Sequence, residues 1–309
     1  MRYRYLVGRL GADDPNVRQS AMDELLRRGG DPMPALIDLL DHPNSDIRRF
    51  ATRELIWLRP KPRTAILPLA SALEDEDDEV RCNSAWALGY IGENSGPDLA
   101  EEEEAAVRAL CQAASDKCAN VRITSIGALA NFGSKSARTE PALRSALTDN
   151  DICVRMAAAW ALTQISTQYL EQSLPVFIEG LTVDDPEVQK TAAFYLGELK
   201  TAAKDAIPEL TKLLARRNRD LRASAAKTLA KLGPAAAAAV PALTTVLESD
   251  DDYFVRCDAA EALGQIGPAA ASAVPALRDV LNDGGSLSDI APQAIGRIIS
   301  GAGSEADQE

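Results

Sequence analysis

Few side chains in this 309-residue chain have a type and spacing that could do chemistry. The single histidine, His42, precedes Pro43 in a predicted turn, so no second imidazole could join it in acid–base or nucleophilic work. Carboxylates cluster at 75–79 and 250–252, but both clusters fall at predicted turns, where helix capping and solvation explain them. No Gly-x-x-x-x-Gly-Lys phosphate loop is present. The sequence therefore predicts no catalytic residue, no metal site and no cofactor.

The cysteines indicate a compartment rather than a reaction. They are scattered, odd in number and form no Cys-x-x-Cys pair, so we expect reduced thiols in a cytoplasmic protein. Residues 1–10 carry three arginines without a continuous apolar run, and no stretch reaches 18 uninterrupted apolar residues. We therefore expect neither a signal peptide nor a membrane span. The cysteines are Cys82, Cys111, Cys118, Cys153 and Cys257.

The charge of the chain restricts its partners. The formal net charge is −13, and no basic stripe is present. Because a phosphate backbone is bound by clustered Lys and Arg, we expect no nucleic-acid partner. An acidic surface suits a basic protein partner, although it more commonly serves solubility alone.

A recurring phrase organises the whole chain. It consists of Asp or Asn, two residues, a branched apolar anchor, usually Arg, and then a helix rich in small residues. Successive anchors lie 30, 33, 41, 33, 34, 33, 34 and 32 residues apart. A period near 33 residues is typical of stacked helical repeats. The anchors are Val17, Ile47, Val80, Val121, Val154, Val188, Leu221, Val255 and, in a weaker ninth copy, Leu287.

Prolines form a second register, about 13 residues before the anchors. Since proline fits the first turn of a helix, each unit is predicted to hold a helix A opened by proline, a tight turn and a helix B. Asp or Asn three residues before the anchor caps helix B, except at Cys118. One helix pair cannot bury its apolar stripe alone, so stacked pairs must share a core. The prolines are Pro34, Pro68, Pro141, Pro175, Pro208, Pro241 and Pro275.

The phrase Asp-x-x-Val-Arg-x-x-Ala-Ala-x-Ala-Leu-Gly-x-Ile-Gly at 252–267 resembles HEAT repeats of the phycobilisome-lyase-like type. The resemblance covers residues 2–300 and implies an all-α, right-handed α-solenoid of about nine HEAT-like helix pairs. We accordingly predict one solenoid domain at 1–300, with an insertion loop at 92–104, and a disordered acidic tail at 301–309. The resemblance is specific for fold and not for function, because such repeats occur in scaffolds, transport receptors, lyase subunits and a few enzymes.

The long spacing of 41 residues locates the insertion between the third and fourth units. Within it, the run Glu101–Glu104 is either an acidic knob that binds a partner or a set of carboxylates that complement the dipole of the following helix. We favour the second reading, because acidic side chains are common in the first turn of a helix.

The arginine that follows most anchors could bind phosphate groups. In HEAT repeats, however, such arginines typically pair with acidic residues of adjoining units, and acidic caps lie close to them here. We therefore predict a structural ladder, interrupted by Gln189 in the sixth unit and Ser288 in the ninth. Its members are Arg18, Arg48, Arg81, Arg122, Arg155, Arg222 and Arg256.

Aromatic residues gather on one face of the B helices. At 100° per residue, positions six and ten after the anchor point away from the core, and they include all three tryptophans. The resemblance places B helices on the concave wall of the solenoid. Exposed aromatic residues mark interaction surfaces, although packing between adjacent B helices would also explain them. We predict a partner-binding groove centred on the third, fifth and sixth units and formed by Trp57, Trp86, Tyr90, Trp160, Phe194 and Tyr195.

These observations favour a non-catalytic scaffold or adaptor that binds a protein or peptide partner, basic with an apolar centre. The resemblance supplies one alternative, a subunit of a bilin lyase-type complex that acts on a phycobiliprotein. A second alternative is a structural subunit of a larger assembly, because Gly284, Gly285 and Pro292 make the last unit irregular. Retention of a bilin would identify the first alternative, and the mass in solution would identify the second.

Overall fold

The computed structural model describes residues 2–58, 63–96, 99–135, 137–282 and 289–305. The chain divides into two compact units, Met1–Tyr169 and Leu170–Glu309. The prediction of a single domain over 1–300 stays a prediction. Several predicted features lie outside the described residues, namely the anchor Leu287, Ser288, the Gly284–Gly285 turn, residues 97–98 of the insertion and residues 306–309 of the tail.

In the first unit, A and B helices alternate along the chain. The α-helices are α1 (Arg2–Leu10), α2 (Pro15–Arg27), α3 (Met33–Asp38), α4 (Ser45–Trp57), α5 (Ile66–Ser71), α6 (Asp78–Glu93), α7 (Glu101–Ala113), α8 (Ala119–Phe132), α9 (Thr139–Ala146) and α10 (Ile152–Ile165). Short 3₁₀ turns occupy Leu39–Asp41, Arg63–Ala65, Ala72–Glu74, Gly133–Lys135 and Thr167–Tyr169.

The second unit continues the alternation. Its α-helices are α11 (Leu170–Thr182), α12 (Pro186–Glu198), α13 (Ile207–Leu213), α14 (Arg219–Leu232), α15 (Val240–Ser249), α16 (Tyr253–Ile266), α17 (Val274–Asn282) and α18 (Ile290–Glu305). Its 3₁₀ segments are Lys200–Ala206, Gly233–Ala239 and Gly267–Ala273. Across the described residues, eighteen α-helices form nine pairs and no strand occurs, which confirms the prediction of an all-α fold built from about nine helix pairs.

The predicted caps open the B helices. At Asp77, for example, Oδ1 accepts the N–H groups of Glu79 (3.0 Å) and Val80 (3.2 Å). Such a cap stabilises a helix by about 1 kcal/mol. Cys118 makes no side-chain cap, as its type predicts. Seven caps accept a backbone N–H in this way, at Asp14, Asn44, Asp77, Asp151, Asp185, Asn218 and Asp252.

One A helix departs from the predicted register. Prolines occupy the first turn of α3, α13, α15 and α17, but Pro175 lies inside α11, which begins five residues earlier at Leu170. The earlier start follows the buried Tyr169 and buries Ser173, so an added turn of helix is packed against the core. The prediction that proline opens this helix was therefore wrong.

The cores consist of the anchor stripe and small residues that let B helices approach. Seven of the anchors in the described residues are buried, and Val17 in the first pair is half-buried. Glycine at position 89 of α6 is required by the neighbouring helix, because a Cβ there would lie 2.9 Å from the Cα of Ala128 in α8. Gly264 of α16 is required in the same way, because a Cβ at this position would lie 2.9 Å from the Cα of Ala294 in α18.

The last helix extends beyond the predicted end of the solenoid. It includes residues 301–305, which the sequence assigned to the tail, and Gly301 lies against the ring of Pro268. Pro292 causes no break, because α18 begins at Ile290 and the proline lies in its first turn.

By length and composition alone, the segment Arg219–Ser249 is apolar enough to cross a membrane. It comprises α14, a 3₁₀ segment and α15, because Gly233 adopts φ 59° and ends the first helix. The two α-helices have 14 and 10 residues, fewer than the roughly 20 that span a bilayer core. The segment is therefore a weak candidate for a membrane span.

Candidate functional site

The arginines that follow the anchors lie at the junctions between helix pairs. The Arg48 guanidinium donates from Nε and Nη2 to the two carboxylate oxygens of Asp75 in the next pair, at 2.7 and 2.9 Å. Its Nη1 bonds the carbonyl oxygens of His42 and Pro43. One buried cation thus joins the turn of its own pair to the turn of the following pair.

The same arrangement recurs in both units. Asp116 and Asp250 each accept hydrogen bonds from two guanidinium nitrogens, those of Arg81 and Arg222 respectively, at 2.6 to 3.0 Å. Asp149 accepts one from Arg122 Nη2 at 2.8 Å, and its Oδ2 lies 2.8 Å from Arg122 Nε as an ion pair without hydrogen-bond geometry. Burial alone would raise the pKa of each of these three carboxyl groups, but the facing arginine and a backbone N–H hold it below its ordinary value.

The hydrogen bonds from these arginines to backbone carbonyl oxygens of their own helix pair were not predicted from the sequence. In six of the seven arginines, Nη1 donates to the carbonyl oxygens six and five residues earlier, as Arg155 does to Asp149 and Asn150. Arg256 differs and donates from Nε to the Leu247 carbonyl. In the sixth unit, Gln189 stands in place of the arginine, and its side-chain amide donates a hydrogen bond to the carbonyl oxygen of Leu181. These contacts occupy the arginines within the fold.

The first junction lacks the carboxylate. Arg18 is buried, its Nε has no hydrogen-bond partner, and its guanidinium lies 5.4 Å from the centroid of the Phe50 ring. His42 occupies the position that Asp75 holds one pair later, six residues before an arginine. His42 is half-buried, and its Nδ1 accepts a hydrogen bond from the Asn44 N–H at 3.1 Å.

The insertion is held by buried polar contacts. Glu103, predicted as one of four carboxylates that complement the helix dipole, is buried and accepts hydrogen bonds from Ser95 Oγ and the Ala100 N–H, each at 2.7 Å. Lys135 donates to the carbonyl oxygens of Gly92 and Ser95 and so caps the end of α6. Glu101 and Glu102 are exposed in the first turn of α7.

The B helices present the predicted positions to solvent. Seven of the eight side chains or glycines at position six are exposed, and Trp160 alone is half-buried. They are Asp23, Arg53, Trp86, Gly127, Trp160, Phe194, Lys227 and Glu261. The polar or aromatic face therefore lies where the helical period places it.

Two tryptophans of the first unit form an exposed pair. Trp57 ends α4 and Trp86 lies in the middle of α6, with ring centroids 5.8 Å apart. Trp57 is 67% exposed and Trp86 is 50% exposed. The rings therefore pack on each other, as the alternative reading expected, and still leave about half or more of each side chain in water. Fully burying a large apolar side chain yields roughly 1.5–3 kcal/mol, and about half of that amount or more remains available to a partner from each ring.

A pocket of about 470 Å³ lies beside this pair, between α6 and α8. Trp86, Tyr90 and Glu93 form its α6 wall, one helical stripe at spacings of four and three residues. Opposite them, Gly127 leaves open space, because a Cβ built there meets no atom within 4 Å. We call this cavity the Trp86 pocket. This recess was not predicted from the sequence, although an exposed glycine between tryptophan positions is the signal that could have found it.

The face of the second unit has a different character. A pocket of about 660 Å³ is lined by Phe194 together with Lys227, Lys231, Asp258 and Glu261. Lys231 lies 5.5 Å from the centroid of the Phe194 ring and also bonds Glu198 at 2.6 Å. The aromatic ring here already has a cation of its own chain against it.

The remaining predicted aromatic residues are partly used by the fold. Tyr195 is half-buried and packs on the fully buried Phe177, with ring centroids 5.3 Å apart. Trp160 is half-buried on α10 and does not line the Trp86 pocket. The structure thus brings together Trp57, Trp86 and Tyr90, whereas Phe194 and Tyr195 lie in the second unit.

No group of three or more His, Cys, Asp or Glu side chains is arranged to hold a metal ion in the parts of the chain that the structure describes. The five cysteines are free thiols.

Comparison with known proteins agrees with this architecture. A search of curated proteins found no match. An engineered protein of known crystal structure is 25% identical, over 96% of this chain and 88% of its own, with a TM-score of 0.58. The Escherichia coli protein YibA is 24% identical, over 85% of this chain and 90% of its own, with a TM-score of 0.62, a likeness that shows the fold alone.

The family described as HEAT repeats matches four consecutive stretches, residues 33–108, 107–185, 174–252 and 235–290. These stretches overlap and together span most of the helix pairs in both units. The chain therefore belongs to the HEAT-repeat family.

Proposed function

We propose that the chain is a non-catalytic scaffold that binds a protein or peptide partner through the B-helix face of its first unit. The observation that carries this proposal is the exposed pair Trp57–Trp86 beside the Trp86 pocket. Exposed tryptophans next to a recess are typical of binding hot spots, because they bury large apolar areas at a low cost in side-chain entropy.

The contrast between the two kinds of predicted residue supports this choice. The arginines are engaged with carbonyl oxygens and carboxylates of the fold, so a ligand would have to break those bonds to reach them. Trp57 and Trp86 contact each other and remain exposed. HEAT repeats typically mediate protein interactions, and this use suits a face that is open along several helices.

The location and the negative predictions belong to the same proposal. Five free thiols suit a reducing compartment, so we place the protein in the cytoplasm. The net charge of −13 argues against a nucleic-acid partner. The bilin lyase-type role and the role of structural subunit remain alternatives, tested by visible absorbance after mixing with a bilin and by light scattering.

The test is capture of partners from the native cell extract, with quantification by mass spectrometry. Wild type is compared with Trp57→Ala/Trp86→Ala in the first unit and with Phe194→Ala in the second. Circular dichroism and thermal unfolding establish that each variant is folded. We expect one partner to be enriched by wild type and by Phe194→Ala, and lost by the folded double variant. Equal capture by all three proteins would contradict the proposal.

A further inference from the structure

The aromatic rings of this chain differ in whether a cation of the chain itself lies over them. Three exposed rings have one, since Arg9 lies over Tyr5, Lys231 over Phe194 and Arg219 over Phe254, at 5.5 to 5.6 Å from the ring centroids. Within the described residues, no Lys or Arg lies over Trp57 or Trp86. Tryptophan is nevertheless the aromatic side chain that attracts a cation most strongly.

Where the structure describes the chain, the charged lining of the Trp86 pocket has one sign. Glu93 is exposed at the end of the Trp86–Tyr90 stripe and lines the pocket. Among the described residues no side chain bonds the Glu93 carboxylate, and no lysine or arginine lines the pocket. The corresponding pocket of the second unit contains Lys227 and Lys231 beside its acidic residues. In the described part of the first unit, the Trp86 indole thus has no cation over it and the Glu93 carboxylate has no counter-ion.

We propose that the Trp86 pocket takes an arginine side chain of a basic peptide or protein partner. The guanidinium stacks on the aromatic wall, Glu93 supplies the opposite charge, and the space over Gly127 admits the aliphatic stem. Arginine fits better than lysine, because its planar guanidinium stacks on an aromatic face and bonds a carboxylate through two nitrogens. A net charge of −13 further favours the approach of a basic partner. This inference rests on the proposed function and names the chemistry of its partner.

The test uses three synthetic peptides and the full chain. The peptides have the sequence acetyl-Gly-Ala-Leu-X-Leu-Ala-Gly-amide, in which X is arginine, its neutral isostere citrulline, or lysine. Binding is followed through the NMR signal of the Trp86 indole N–H, assigned from the spectrum of Trp86→Phe. We expect a saturable shift with the arginine peptide and dissociation constants at least about fivefold weaker for citrulline. We expect the lysine peptide to bind more weakly than the arginine peptide.

Matched variants establish the site. Gly127→Leu fills the pocket from an exposed helix position and should abolish the shift, whereas Gly127→Ala should retain it. Glu93→Gln should weaken the arginine peptide about threefold to fivefold and leave the citrulline peptide unchanged. Glu248→Gln, on an exposed position of the second unit, removes the same charge elsewhere and should have no effect.

Equal binding of the arginine and citrulline peptides would overturn the inference, as would binding of lysine as tight as that of arginine. A shift that persists in Gly127→Leu would also overturn it. If the peptides fail in this way while Trp57→Ala/Trp86→Ala still loses its captured partner, the arginine assignment is wrong and the proposed function stands. If the double variant loses nothing, the proposed function itself is wrong.

Discussion

Arg81 and Asp116 form an ion pair with two hydrogen bonds across the junction of two consecutive helix pairs. Nε lies 2.8 Å from Oδ2 and Nη2 lies 3.0 Å from Oδ1. Nη1 of the same guanidinium bonds the carbonyl oxygens of Asp75 and Glu76. Because each helix pair depends on its neighbours to cover its core, a contact of this kind stabilises the junction rather than one helix.

Removing the charge of Asp116 should therefore be costly. In Asp116→Asn the nearly buried Arg81 cation loses its counter-charge, and we expect the free energy of unfolding to fall by about 2–4 kcal/mol. Asp251, which also contacts an arginine, is 93% exposed, so Asp251→Asn should cost less than about 1 kcal/mol. Urea unfolding followed by circular dichroism measures both values. Equal losses in the two variants would show that burial of the pair is unimportant.

The ion pairs also predict how stability depends on pH. Arginine contacts hold the pKa values of Asp116, Asp149 and Asp250 below their ordinary value in the folded state. A group of this kind adds stability above its unfolded pKa, near 3.9, and loses it as the pH falls through the folded pKa. We therefore expect the free energy of unfolding to be flat near neutral pH and to decline between about pH 5 and pH 2.

Asp258 has the opposite effect on the pH dependence of stability. Burial raises the pKa of its carboxyl group, so protonation of Asp258 at low pH favours the folded state. The decline should nevertheless dominate, since the pKa values of Glu24, Asp77, Glu103 and Asp252 are lowered as well as those of the three paired carboxylates. In Asp116→Asn the free energy of unfolding should decline less steeply between about pH 5 and pH 2, whereas Glu248→Gln should leave this decline unchanged. If the free energy of unfolding declined equally steeply with falling pH in wild type and Asp116→Asn, groups other than Asp116 would cause the decline.

The first junction offers a substitution that should stabilise the protein. In the recurring arrangement, the carboxylate six residues before one arginine bonds the arginine of the preceding pair, and His42 holds this place opposite Arg18. We expect His42→Asp to supply the missing partner for the buried Arg18 Nε and to raise the free energy of unfolding by about 1–2 kcal/mol. His42→Asn retains an acceptor for the Asn44 N–H without the charge, so it should yield a smaller gain. A lower free energy of unfolding in His42→Asp than in wild type would show that position 42 does not face Arg18 as Asp75 faces Arg48.

Two glycines on B helices should respond oppositely to alanine. At Gly89 a Cβ would lie 2.9 Å from the Ala128 backbone, so Gly89→Ala should force α6 and α8 apart and cost about 1–3 kcal/mol. At Gly127 a Cβ meets nothing, so Gly127→Ala should stabilise α8 by about 0.5–1 kcal/mol through its helix propensity. Thermal unfolding of both variants checks the pair. Shifts of the same sign would contradict the close approach of α6 and α8.

The repeat architecture could be predicted from the sequence because each unit repeats the same local signals. A capping residue such as Asp77, an anchor such as Val80 and a stop such as Gly233 each act within one or two turns of helix. Their positions along the chain therefore determine where helices begin and end. Pro175 shows the limit of this reasoning, because an added helical turn before it depends on burial against the core, which no local signal records.

The candidate site was only partly predictable. Helical period places Trp86 and Tyr90 on the exposed face, but the contact between Trp57 and Trp86 depends on how α4 and α6 pack. The Trp86 pocket arises because Gly127 on a different helix has no side chain, and the sequence alone does not say which wall faces it. The contact of Lys231 with Phe194, which distinguishes the second unit, likewise joins two helices.

The central claim is that the Trp86 pocket binds the partner of this chain. Isothermal titration calorimetry of the captured partner against wild type, Gly127→Ala and Gly127→Leu tests it most directly. The substitutions lie at one exposed position where a Cβ meets no neighbour, so all three proteins should fold alike. We expect Gly127→Ala to match wild type and Gly127→Leu to bind at least about tenfold more weakly, the effect of about 1.4 kcal/mol. Equal affinities of all three proteins would place the binding surface elsewhere on the chain.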